Sequence, residues 1–263
     1  MSTFRNAILC VAALVGAACS DPSSDPFVQL KWKVVAEGPP NTTFPAIAGA
    51  KVCVDAHPEV ACATTDADGA FTLKDLPANA ELVLVTDEDG FIPSLQPIHT
   101  PTTDAVVTQP IVMLKATGLP TNLGFDIDTT ESGIIDFFAI VLKEDDGLNY
   151  GPLPGVIVTL SPKAEQDAVY FAQPGIADPT LHATLSFGGL FDGAGGGTVT
   201  SGRFFNVPPG DYRVSFTAPP GYTCGDLTSP LAAWGFPVDG QAVVRVPVRK
   251  GYDTGKVGVR CWR

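Results

Sequence analysis

The residue types able to do chemistry in this chain are six cysteines, three histidines and acidic residues gathered in turns. No two cysteines stand as C-x-x-C, and His57, His99 and His182 are isolated from one another. A zinc-type ligand spacing is therefore absent from the sequence. Asp66 and Asp68 fall at the first and third positions of a calcium loop, but Gly69 comes at the fourth and no glutamate closes twelve residues. Aspartate and glycine are also what a tight turn requires, so residues 66–69, like 87–90, read as turns. The glycine run at 193–197 lacks the Lys-Ser/Thr of a phosphate loop, and neither G-x-S-x-G nor H-E-x-x-H occurs. The expectation is a non-catalytic protein with no cofactor and no metal site.

Composition limits the partners. The 263 residues carry a net charge of −12, with 28 acidic against 16 basic residues. Nucleic-acid binding needs a basic surface, so this charge argues against it. The same excess argues against a polybasic membrane patch and suits solubility. Hydrophobic content of 45% is ample for packed cores, while 27 Gly and 24 Pro, spread without period, imply many turns.

The N-terminus has the layout of an export signal. Arg5 precedes an apolar run over residues 7–15, too short to span a bilayer. The ending Gly16-Ala17-Ala18-Cys19, followed by SDPSSDP, resembles the lipobox of bacterial lipoproteins. That resemblance implies cleavage after residue 18, acylation of Cys19 and a lipid anchor in the cell envelope, outer-membrane and facing periplasm or surface. An ordinary signal cut near Ala18, leaving a free cysteine, is the alternative. If Cys10 leaves with the signal and Cys19 takes lipid, four cysteines remain. Cys53 with Cys62, and Cys224 with Cys261, are the pairings that stay inside the proposed domains, although others exist. Two disulfides suit an exported protein. Loop entropy assigns them roughly 2.7 and about 3.9 kcal/mol.

The elements that must position these residues are strands. Val28, Leu30, Trp32 and Val34 alternate with Gln29, Lys31 and Lys33. Tyr212, Val214 and Phe216 alternate with Arg213 and Ser215, the pattern of a strand buried on one side. Residues 133–142 read as a strand from their β-branched and aromatic content. In 198–222 (TVTSGRFFNVPPGDYRVSFTAPPGY), and again in 64–86, two such runs flank a proline corner, and each stretch is expected to be the central hairpin of a β-sandwich. Residues 106–115 close the first sandwich, with Pro110 interrupting the ladder and marking an edge. The layout is a signal at 1–18, a polar tether at 19–26, a first sandwich at 27–118, a linker at 119–129 and a second sandwich at 130–263 with an insertion at 161–197.

Gly49-Ala50-Lys51-Val52, then Thr65-Asp66-Ala67-Asp68-Gly69-Ala70-Phe71 and Leu76-Pro77, resemble the carboxypeptidase regulatory-like domain. So do Pro154-Gly155-Val156-Ile157-Val158 with Phe204 and residues 207–212. The resemblance implies an all-β fold of two tandem transthyretin-like (prealbumin-like) antiparallel sandwiches. Related sandwiches include bacterial adhesin repeats with a Lys–Asn isopeptide bond, for which Lys143, Asn206 and Glu131 are the nominal trio, and iron dioxygenases, whose paired Tyr and His spacing is missing here. Function is expected to be structural or protein-binding at the envelope. The alternative is a carbohydrate-binding module using Trp32, Trp234 or Trp262 with Tyr222 as stacking rings, so the partner is an envelope protein or a glycan.

Overall fold

The computed structural model describes residues 27–38, 44–121, 123–142, 150–151, 155–173, 176–177, 187–188, 198–225, 235–238 and 240–262. The expected signal, the tether with Cys19, Lys143, His182, the glycine run at 193–197 and Trp234 lie outside the described residues. The first half supplies β1 (Phe27–Ala36), β2 (Lys51–Val54), β3 (Ala63–Thr64), β4 (Ala70–Pro77), β5 (Glu81–Asp87), β6 (Ser94–His99), β7 (Ala105–Val106) and β8 (Ile111–Met113). The second half supplies β9 (Gly133–Leu142), β10 (Tyr150–Gly151), β11 (Ile157–Ser161), β12 (Val169–Gln173), β13 (Ile176–Ala177), β14 (Phe187–Gly188), β15 (Thr198–Val207), β16 (Gly210–Thr217), β17 (Thr223–Gly225), β18 (Phe236–Pro237), β19 (Val243–Val248) and β20 (Asp253–Trp262). Among the described residues the one helical piece is the 3-10 turn Ala116–Gly118, so the fold is all-β.

The two halves repeat one pairing scheme. In the first, β1 lies antiparallel to β4 and parallel to β8, while β2, β5 and β6 form an antiparallel run. In the second, β9 lies antiparallel to β15 and parallel to β20, while β11, β16 and β19 form an antiparallel run. Gly49 and Gly155, which precede β2 and β11, both hold left-handed backbone, at φ 87° and 85°. Only glycine adopts that conformation readily, which explains why both copies carry it. Each half thus stacks two sheets over an apolar core, as a β-sandwich does.

The expected central hairpins are not formed. β4 pairs with β1 while β5 pairs with β2 and β6; β15 pairs with β9 while β16 pairs with β11 and β19. Each proline corner therefore carries the chain from one sheet across to the facing one. The reason is local. A two-residue hairpin requires positive φ at its first central residue, whereas Pro208 fixes φ near −65°. At the earlier corner, Thr100 clamps the crossing. Its hydroxyl donates to the Pro77 carbonyl at 2.6 Å, and its oxygen accepts the Ala80 N–H at 2.8 Å. At the later corner Asn206, at φ 53°, donates its amide to the Asp126 carbonyl and accepts the Asp128 N–H, both at 2.8 Å.

β6 was not expected as a strand. Five of its six residues, Pro97 included, are buried, because the first core covers one face while β18 and β19 approach the other. A strand buried on both faces loses period-two alternation, the signal by which the others were read. The interruption at Pro110 has the expected consequence. β7 and β8 are two short strands, both parallel to β1, separated by residues 107–110.

The halves are fused along one sheet. β20 pairs in parallel with β9 on one side and with β6 on the other, at Asp253↔Ser94 and Thr254↔Leu95. The ladder then runs β13-β12-β15-β9-β20-β6-β5-β2-β3. Strands β9, β12 and β15 send described side chains into both cores. Ile135, Phe137, Phe204 and Tyr170 enter the second core, while Ile134, Phe138, Val169 and Phe205 enter the first. Leu123, Phe125 and Ile127, in the stretch expected to be a linker, pack on that first core as well.

Tyr170 ties the sheets of the second sandwich together, since its hydroxyl oxygen accepts the Val158 N–H at 3.0 Å. Burial pushes its pKa above the ordinary tyrosine range, with the Val158 bond opposing. A raised folded-state pKa means stability that is complete below about pH 10 and lost as pH rises through the folded value. Tyr170→Phe leaves the Val158 N–H buried and unpaired. We expect a loss of about 1–3 kcal/mol near neutral pH. We also expect the variant to lose part of the alkaline decline in stability, measured by urea unfolding from about pH 8 to 11.

Candidate functional site

Both expected disulfides are present. Cys53 on β2 is bonded to Cys62, and Cys224 on β17 to Cys261 on β20. Cys224 and Cys261 are direct partners in the ladder, so the bond staples one cross-strand pair. The acidic turn at 66–69 uses its carboxylate internally. Asp66 Oδ1 accepts the N–H groups of Asp68 and Ala70, at 2.9 and 2.8 Å. His57 contacts Glu59 at 2.8 Å, and the hydrogen bond from that ring holds the Glu59 carboxyl below the usual range. Among the described residues no three His, Cys, Asp or Glu side chains are grouped to hold a metal ion. Asn206 is engaged with 126–128, and Glu131 lies 3.9 Å from Lys250. The aromatic rings are dispersed. Trp32 is buried and donates its indole N–H to the Gln109 carbonyl, Tyr222 is half-buried on the second core, and Trp262 is exposed beside Gly225.

Two features could carry function. The first is the seam between the halves, where three arginines of the second half grip three acids of the first. Arg203 Nη2 donates to Glu37 at 2.6 Å and lies 3.5 Å from Asp136. Arg245 is bidentate on Glu81 at 2.6 and 2.8 Å. Arg249 forks onto Asp55, with one arm at 3.1 Å. Spacing in the sequence carried no sign of these pairs, which join residues 164 to 194 positions apart. Arg203 differs from the others because it is almost wholly buried. Burial by itself would drive its proton off; the carboxylates of Glu37, Asp136 and Asp253 more than offset this and raise its pKa above the arginine norm. The hydrogen bond to Asp55 likewise raises that of Arg249. The Arg245 pair is about half exposed and is worth at most about 1 kcal/mol.

The second feature is the outer face of the β4-β1-β7 sheet. Alternation along β1 turns Phe27, Gln29, Lys31 and Lys33 outward. The ladder sets Thr72 and Val106 beside Lys31, and Ala70 beside Lys33. Small side chains at 70 and 72 leave a shallow cavity of about 390 Å³, walled by both lysines, Val106, Thr108 and Asp66. Lys74 follows on β4, also exposed. Phe27 and Val106 are 67% and 61% exposed, which makes them the most exposed large apolar residues described.

No family model and no curated protein matches the sequence. Among solved structures, the chain is similar to the TIE protein of Bacillus anthracis at 15% identity and TM-score 0.27, over 90% of this chain and 34% of that one. The chain thus spans about a third of that protein. It is also similar to GBS52, the minor pilin of Streptococcus agalactiae, at 15% identity and TM-score 0.27, over 89% and 95%. A cohesin–X-dockerin complex of Acetivibrio cellulolyticus matches at 20% identity and TM-score 0.26, over 34% and 58%. At these TM-scores none of them carries an inference about this chain.

Arg203→Met removes a buried cation that faces the carboxylates of Glu37, Asp136 and Asp253. Breaking such a buried pair is expected to lower stability by about 3–5 kcal/mol, read from urea unfolding. Adding Glu37→Gln to that variant restores part of the loss, because one stranded charge disappears. A loss no larger than that of Arg245→Met would contradict the burial assigned to Arg203.

Proposed function

We propose that this chain is a non-catalytic lipoprotein of the bacterial cell envelope. Its two sandwich units, residues 27–118 and 130–263 with 119–129 between them, form one stiff module. That module is held to the membrane by an acylated Cys19 and serves a structural or protein-binding role. The observation that carries the reading is the fused architecture. Domains that close around a substrate meet across modest polar interfaces. Here a shared ladder, a common apolar core and three arginine–carboxylate contacts join the units instead. Such a body holds its shape, which suits a spacer or display role. The two disulfides support an oxidising, extracytoplasmic setting.

The test is intact-mass analysis of protein extracted from membranes. A mature chain beginning at Cys19 and carrying acyl mass is expected, gaining four hydrogens on reduction of its two disulfides. Cys19→Ser is expected to move the protein from the membrane to the soluble fraction. An unmodified mature N-terminus, or a Cys19→Ser chain that stays membrane-bound through detergent-free washing at high salt, overturns the anchor.

A further inference from the structure

We propose that the outer face of the β4-β1-β7 sheet is a membrane-seating surface, on which Lys31, Lys33 and Lys74 meet anionic headgroups of the leaflet that holds the anchor. The inference rests on the lipid-anchored reading of Cys19. The occupant follows from chain length and from charge. Phe27 opens β1, and eight Cα–Cα steps separate it from Cys19, at most about 28 Å when fully extended. An acylated Cys19 therefore keeps the start of β1 within that distance of the headgroups. The strand that the tether enters is the one that carries Lys31 and Lys33.

The face is chemically suited to such an interface. Among the described residues Lys31, Lys33 and Lys74 have no ion-pair partner. Asp66, the exposed Asp68 of the same turn, Asp75 and Asp104 border the face and keep their negative charge, and hydrogen bonds to backbone fix where two of them point. Asp66 accepts backbone N–H groups of its own turn, and Asp104 accepts the Gln29 N–H at 2.8 Å. Asp75, at the bulge that follows Lys74, is the remaining acid of β4. Phe27 and Val106 offer apolar side chains at the level where a headgroup meets acyl chain, and the cavity between Lys31, Lys33 and Val106 has room for one headgroup. The net charge of −12 speaks against a polybasic patch on the molecule as a whole, but it does not say where the cations sit. Three lysines amount to a weak interaction, each worth roughly fivefold in partitioning to an anionic surface. Tethering makes the encounter intramolecular, so weak contacts suffice to set the module's tilt.

The experiment uses the full mature chain with Cys19→Ser, purified without acyl groups, so that the anchor plays no part. Failure of the acylation test and failure of this one are then distinguishable. Binding is measured by co-sedimentation with vesicles of phosphatidylglycerol and phosphatidylcholine, and with vesicles of phosphatidylcholine alone. Binding to the anionic vesicles is expected at low ionic strength, weakening as salt rises from about 50 to 500 mM. The double variant Lys31→Glu/Lys33→Glu is expected to bind at least about tenfold more weakly. The charge-matched Lys51→Glu/Lys115→Glu variant, on other exposed surface, is expected to lose less than about threefold. Three results would overturn the proposal: equal loss in both double variants, equal binding to both vesicle types, or no binding to anionic vesicles at low salt. Displacement by inorganic phosphate at matched ionic strength would assign the cavity to free anions and would also overturn it.

Discussion

The double parallel pairing of β20, against β9 within its own sandwich and β6 of the other, is the constraint on which the remaining architecture depends. Without it, β20 and β6 would both present open edges with unpaired backbone groups. Joining them at Asp253–Thr254 and Ser94–Leu95 covers the start of both edges, with β17 covering residues 260–262 of β20, and brings the sheet of the second half partly over the core of the first. Phe138 and Phe205 are buried there as a consequence. Close approach along this strand explains its glycines. A Cβ on Gly258 would sit 2.5 Å from the Phe138 ring, and one on Gly255 would sit 3.1 Å from the Gln96 side chain.

The charges at the seam follow from that same placement. Arg203 stands directly opposite Asp136 in the β15–β9 ladder, on the face turned to the first core. Once the first half covers that face, the guanidinium loses water, and neighbouring carboxylates offset the loss. Glu37, just beyond β1, supplies the short contact. A buried pair of this kind adds little net stability compared with an apolar filling, but breaking it is expensive. Its physical effect is therefore selective: arrangements of the two halves that separate Arg203 from Glu37 are penalised. Arg245 and Arg249, at the half-exposed rim, add the modest terms expected of solvated pairs.

Much of the fold was legible because one-sided burial leaves a period of two. β1, β9 and β16 stand where alternation or β-rich composition placed them, and the break at Pro110 falls between β7 and β8. The disulfide partners could be sorted because only four cysteines fall within the proposed domains. The failures have a common cause. Alternation reports which side of a strand is buried, not which strand lies beside it. The runs on either side of 208–209 alternate as hairpin strands do, yet they belong to facing sheets. β6 carries no alternation because both of its faces are covered. The candidate sites were less legible still, since each gathers residues from strands distant in sequence.

By itself, then, the sequence determined the local states. Proline and glycine set where strands stop, β-branched and aromatic runs set where they form, and the cysteines set which loops can be stapled. These are short-range effects of backbone torsion and side-chain shape, and they act wherever the chain goes. Only the tertiary structure decided that two repeated sandwiches share one sheet, that Arg203 is enclosed among acids, and that three lysines of an acidic chain collect on one outer face. Those outcomes depend on which surfaces lose water against which others, and no window along the chain contains both partners.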